Sequence, residues 1–236
     1  MEVFPLRLRG EGRDAESACA VVLVRVEAAQ FHLGLGRGDE PHEPVLHLAW
    51  HQCLRDQALT QITQRAKQTL PAAVISLTLD PLVQETLQTL ARRVATRYAN
   101  RSNSIAYGFG EESAIFEMGT GELTAPDAAF TCATFVLAML RSVGVQMIDS
   151  MRWRKPTEED LRWQREIGAR LLDWIEHKIH GDLPRATQRV EYDIGSRRYR
   201  PTDVAGAALF GPGTWPVGAD DVDPRARKLE SMLPCP

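Results

Sequence analysis

Four cysteines and six histidines are the side chains of this sequence most readily put to chemical work. Cys19, Cys53, Cys132 and Cys235 lie far apart and form no CxxC pair, which argues against a zinc knuckle, a thioredoxin-like motif or a dense disulfide framework. Each is therefore judged alone. The thiolate is the reactive form of cysteine, and a free thiol has a pKa of roughly 8.5. The positive end of a helix dipole and a neighbouring imidazolium both lower that value. Cys132 is placed to use the first. The loop Gly119–Asp127 feeds into the apolar run Phe130–Leu140, and Cys132 falls in the first turn of the helix predicted there. Backbone N–H groups in a first turn have no intrahelical partner, and they could also face a developing oxyanion.

The second device needs a histidine. His32, His42, His47 and His51 fall within twenty residues, on what read as neighbouring strands. A histidine on one strand, oriented by a polar residue on the next, would complete a nucleophile–base–orienter triad. His51 rivals His32 and His47 for either role. His42 lies in a loop and reads as exposed, and His177 and His180 sit on a charged helix and read as solvated. His42, His47, His51 and Cys53 are also zinc-ligand types. Their spacing, H-x4-H-x3-H-x-C, matches no common zinc motif, and VLHLAW reads as a strand that would not bring His47 and His51 to one face. No metal and no cofactor is expected.

The elements that must position these residues are legible in part. Residues 17–30 hold a β-branched run that reads as a buried strand, and Phe31–Gly36 continues it or forms a second. Arg37-Gly38-Asp39-Glu40-Pro41 is a turn by composition, and Val45–Trp50 is a third strand. The spacing of Leu54, Ala58, Ile62 and Ala66 predicts an amphipathic helix over 52–70. Asp80 as N-cap and Pro81 at the first helical position open a helix running to about Ala99. Ile105–Phe109 and Ala114–Met118 read as a strand pair around Gly110-Glu111-Glu112. The Cys132 helix should be buried and end near Gly144. Thr157 caps a long helix with Glu158, Glu159 and Asp160 in its first turn, ended by Gly181. Val190–Tyr199, centred on Gly195-Ser196, fits a two-residue hairpin, and Thr202–Phe210 a short helix. The tail from Gly211 is expected to wrap the surface or be partly disordered.

On these residues the chain resembles the NlpC/P60 superfamily in its circularly permuted form, the branch that includes the lecithin retinol acyltransferase-like proteins. That branch runs a catalytic His, a hydrophobic strand, a Gly-Asp turn and a second His on the following strand, with the nucleophile much later. Here His32 takes the first place, Gly36-Arg37-Gly38-Asp39 the turn, and Val45-Leu46-His47-Leu48 the second strand. Thr131-Cys132-Ala133-Thr134-Phe135-Val136 looks like the nucleophile motif, with Thr131 where the family has Asn and Ala133-Thr134 where it has Glu-His. The match covers some fifty residues in two blocks. It implies a papain-like α+β fold, an antiparallel sheet packed on the nucleophile helix, and a cysteine that forms a thioester.

Composition bounds the rest. The chain has 236 residues and a net charge of −3, so no global field draws it to nucleic acid or an anionic membrane. Only Lys67, Lys155, Lys178 and Lys228 of its basic residues are lysine. No apolar run spans a bilayer, and Met1–Asp14 lacks the apolar core of a secretory signal. The expected location is the cytoplasm, with leaderless export left open. Each chemical candidate also has a plainer reading. A cysteine in an apolar helix is commonly a small core hydrophobe. His32 and His47, each flanked by leucine, could be satisfied core histidines.

The sequence thus predicts an α+β protein, with a papain-like core over 1–150 and a helical and hairpin extension with a tail over 151–236. The predicted activity is a cysteine peptidase or amidase cleaving an amide or isopeptide bond. Cys132 is the nucleophile, His32 the base and His47 the orienter, with Thr131 or Tyr107 helping at the oxyanion. The expected partner is a peptide, protein or peptidoglycan-like substrate, with a protein partner possible through the extension. Acyl transfer at the same site and a catalytically inactive interaction module are the alternatives.

Overall fold

The computed structural model describes residues 6–9, 19–38, 42–65, 68–99, 101, 105–110, 113–179 and 183–236. Its main sheet takes strands from the first third of the chain. These are β1 (Leu6–Arg9), β2 (Ala20–Glu27), β3 (Gln30–Gly36), β4 (Pro44–Trp50), β5 (Cys53–Ala58) and β8 (Ala72–Ser76), in the order β1-β8-β2-β3-β4-β5. Between β5 and β8 lie α1 (Leu59–Thr63) and the two-residue strands β6 (Gln64–Arg65) and β7 (Gln68–Thr69). The expected antiparallel sheet is corrected at one edge. β2 through β5 form an antiparallel meander and β8 runs antiparallel to β2, but β1 pairs with β8 in parallel. The sheet is therefore mixed.

Strand alternation sorts the apolar residues onto two faces. Val21, Leu23, Leu33, Leu35, Leu46, Leu48 and Ile75 belong to the larger core. That core is completed by α2 (Pro81–Tyr98), α3 (Cys132–Ser142), α6 (Pro201–Ala208) and α7 (Ala219–Met232). Val22, Val24, Val45 and Val74 face the other way, onto Leu59 and Leu70. A third cluster lies at the far end of β4. There α4 (Glu158–Trp174), its π-helical continuation Ile175–Ile179 and α5 (Leu183–Asp193) pack beside Trp50 and Tyr107.

Capping chemistry places the helices where it should. The Asp80 carboxylate accepts the Leu82 N–H at 2.9 Å, with Pro81 opening α2. Thr157 and Asp160 form a reciprocal box at the start of α4.

Several expectations are corrected. Residues 52–70 are not one helix: after a tight turn in which Gln52 takes a φ of 51°, Cys53–Ala58 returns along β4. The ladder to β4 satisfies every second backbone group, and that outweighs the helical spacing of the apolar residues. Ala72–Ser76, not read as a strand, supplies a central one. The pair expected between Ile105–Phe109 and Ala114–Met118 does not form. Instead β9 (Ala106–Tyr107) pairs in parallel with β10 (Ala129–Phe130), and Phe116 bridges to Leu123. Val190–Tyr199 is not a hairpin. Its first half ends α5, and Gly195, at φ 98°, turns the chain after the helix while Gln164 accepts its N–H. Ser17 and Ala18, the turn residues Asp39–Pro41, Glu111–Glu112 and His180–Gly181 lie outside the described residues.

The tail is a helix, not a wrap. Asp221 accepts the Gly218 N–H at 2.9 Å, and Val222, Ala226 and Leu229 form one buried stripe of α7 against α6. Val222 is fully buried, so Val222→Ala loses two buried carbons and leaves a cavity. An unfolding free energy lower by about 2 kcal/mol is expected in urea titration. An unchanged midpoint would mean that α7 is not part of the cooperative unit.

Candidate active site

Cys132 opens α3. Thr131 is the N-cap: its hydroxyl oxygen accepts the Thr134 N–H at 3.2 Å, and its own N–H donates to Thr134 Oγ1 at 2.8 Å. Thr131, offered by the sequence as an oxyanion helper, thus serves the helix start. The helix is apolar on all sides and sits inside the core, with Phe135 edge-on to Phe116. Backbone N–H groups of Leu33, Cys132 and Ala133 point at the sulfur and favour the thiolate. Burial outweighs them and pushes the thiol up to about 11. Tyr107 lies close enough that burial first, and then the Cys132 charge, raise its hydroxyl as well.

The Leu33 N–H reaches the thiol because the sheet lets it. β3 and β4 pair only at Leu35–Leu46 and Gly36–Val45. Continued, that register would set Leu33 opposite Leu48. The ladder stops first, and the Leu33 N–H turns to Cys132. Gly34 allows the close approach of the two strands just beside this break. A Cβ there would stand 2.5 Å from Val45 Cγ1 and 3.1 Å from His47 Cβ.

His32 and His47 meet across the same break. His32 Nε2 and His47 Nδ1 are 2.7 Å apart, and His47 Nε2 lies 3.3 Å from Gln57 Oε1. The cross-strand partner of His32 is Val24, a member of the smaller core. Alternation therefore places both imidazoles on the sheet face away from α3. Among the described residues no hydrogen bond joins the thiol to either ring. Burial pulls His32 down to about 3, helped by the charge of His47. Burial also pulls His47 down to about 4. Its bond to Gln57 offsets part of that and the charge of Arg55 adds to it. Near neutral pH the thiol and both imidazoles are uncharged, so no thiolate–imidazolium pair forms in this arrangement.

The other candidates separate. His51 Nδ1 accepts the Tyr107 N–H at 3.2 Å, and its ring meets Trp174 edge-on. A neutral imidazole that accepts at Nδ1 carries its proton on Nε2, which leaves His51 no lone pair for base work. His42 is exposed. Cys19 is buried and pushed up to about 12 by desolvation. Among the described residues no three His, Cys, Asp or Glu side chains are grouped to hold a metal ion. No helix among them is long and apolar enough to cross a membrane.

A cleft of about 710 Å³ runs between β9 and α5, lined by His51, Tyr107, Leu123, Ile175, Arg189 and Tyr192 among others. Cys132, His32 and His47 do not line it, and Tyr107 is the link between the cleft and the thiol. Sequence reasoning missed two groups here, the Leu33 N–H and Gln57. Gln57 was hidden because its segment carries a helical spacing; read as a strand beside His47, it becomes a natural partner. No protein-family model, no curated protein and no solved structure matches the chain.

Proposed function

We propose that this protein is a cysteine hydrolase of the circularly permuted papain-like kind, cleaving an amide or isopeptide bond through a thioester on Cys132. The observation that supports the reading is the break between β3 and β4: the Leu33 N–H meets the helix-start thiol there, and a bonded histidine pair spans the same break on the other sheet face. Cys132 Sγ attacks the carbonyl carbon. His32 takes the thiol proton and returns it to the departing amine. Water, deprotonated by His32, then attacks the thioester and releases the acid and the thiol. The Cys132 N–H and the Tyr107 hydroxyl face the oxyanion.

This chemistry requires the break to widen. A thiol raised to about 11 does not give its proton to an imidazole lowered to about 3. Water entering the gap moves both toward their ordinary values. The same closed, uncharged geometry favours a second reading, a catalytically inactive interaction module that keeps Cys132 as core.

The deciding measurement is the alkylation rate of Cys132 by iodoacetamide against pH, resolved by mass spectrometry, in the parent and in His32→Ala. For the hydrolase, Cys132 reacts well below pH 8, because the reactive open form holds the thiol beside His32, and the mutant loses that limb. A profile rising only toward pH 11, the same in both proteins, makes Cys132 a core residue and leaves the interaction module.

A further inference from the structure

The hydrogen bond between His32 and His47 has a direction, and a residue outside the predicted triad sets it. Gln57 sits on β5 opposite Val45, so it shares a sheet face with His47 on the neighbouring strand. Its Oε1 is a carbonyl oxygen and only accepts, so the 3.3 Å contact puts a proton on His47 Nε2. A neutral imidazole holds one ring proton, so His47 Nδ1 carries a lone pair. Across the 2.7 Å contact His32 Nε2 must then donate. The ring nitrogen of the pair left with a lone pair is His32 Nδ1.

We propose that Gln57 is a positioning residue that fixes both histidines in their Nε2–H tautomers, leaving His32 Nδ1 as the basic atom. That this atom receives the Cys132 proton rests on the hydrolase reading; the tautomer assignment does not. The alternative polarity would follow if the Gln57 amide were turned so that its NH2 group, rather than Oε1, faced His47. His47 would then carry its proton on Nδ1, His32 would accept at Nε2, and its Nδ1 would hold a proton and be useless as a base. The oxygen of Gln57 selects between these chains.

Long-range proton–nitrogen NMR of the imidazoles in uniformly 15N-labelled protein, at mildly alkaline pH, reads the tautomers directly. The parent should show Nε2–H for both His32 and His47. Gln57→Leu, which removes the acceptor, should lose the single form and show a mixture at His47. Gln57→Glu, which keeps an accepting oxygen, should restore it. A parent spectrum with His47 protonated on Nδ1 overturns the proposal whether or not any variant folds, and so does an unchanged pattern in folded Gln57→Leu. Cys132 alkylation in the same samples keeps the two ideas apart. If the tautomers follow Gln57 while alkylation ignores both Gln57→Leu and His32→Ala, the hydrolase reading fails and the tautomer assignment stands.

Discussion

In His32→Ala, acylation of Cys132 by an activated p-nitrophenyl ester near neutral pH falls by about 10²–10⁴-fold, read by intact and peptide mass spectrometry. Attack by a thiol whose proton has nowhere to go is slow. At Cys132 burial holds the proton on, and the three N–H groups aimed at the sulfur do not remove it. The remaining acceptor at the break is the histidine pair, and its basic nitrogen belongs to His32. His47→Ala should cost less, because it removes the orienting partner and keeps the base. Cys132→Ala should lose the adduct at that position altogether. Equal acylation rates in the parent and His32→Ala would end the hydrolase proposal, since the thiol would then react without its base.

Asp160→Ala should lower the unfolding free energy by about 3–5 kcal/mol, measured by urea titration near neutral pH. The Asp160 side chain is 2% exposed. Its Oδ2 accepts the N–H and the hydroxyl of Thr157, and its Oδ1 accepts from Arg198 at 3.1 Å and Arg200 at 3.0 Å. Arg198 is further fixed over the Trp163 ring at 3.9 Å. Burial alone would raise the carboxyl, but the bonds from Thr157 and Arg200 win and hold it at about 2. Deleting the carboxylate removes its half of the α4 capping box, the two bonds from Thr157, and leaves two guanidinium groups without their shared anion. The pH dependence follows from the sign of the shift. A carboxyl at about 2 when folded and at its ordinary 3.8 when unfolded contributes its stability above roughly pH 4, and that contribution is lost as pH falls toward 2. Asp160→Asn should lack this acid-side loss. A cost below about 1 kcal/mol for Asp160→Ala would mean that water, not Asp160, satisfies the two arginines.

How much of this was legible beforehand varies with the kind of signal. Local chemistry read well. Asp80-Pro81, Thr157 with its acidic first turn, and the apolar run after Thr131 each mark a helix start that the structure keeps. The strands carrying His32 and His47 also stand where their β-branched and leucine-rich sequences put them. Long-range pairing did not read. Nothing local in Cys53–Ala58 announces that it will lie along β4, because its backbone bonds are made by a neighbour and its spacing mimics a helix. Gly195-Ser196 is a turn signal of either kind, and only the packing of α5 shows that it ends a helix. α7 was masked by the Gly, Pro and Asp of its approach, although Val222, Ala226 and Leu229 carry the helical stripe. The site followed the same division. The types and order of Cys132, His32 and His47 were visible, but on which side of the sheet each would sit was not. That depends on a register that covers Gly36–Val45 and Leu35–Leu46 and ends there on the side toward His32.

That short register divides the sheet into two plates. β1, β8, β2 and β3 are stitched along their lengths, as are β4 and β5, while the plates share a brief seam and one imidazole pair. The sheet's weakest line is therefore also the line along which its candidate nucleophile is stowed. Native proteins open first where few backbone bonds must break. An excursion that parted the plates would expose the Leu33 amide and the thiol in a single event. Turnover would then be paced by breathing rather than by bond making, and anything that clamps the plates together would act as an inhibitor without touching the sulfur.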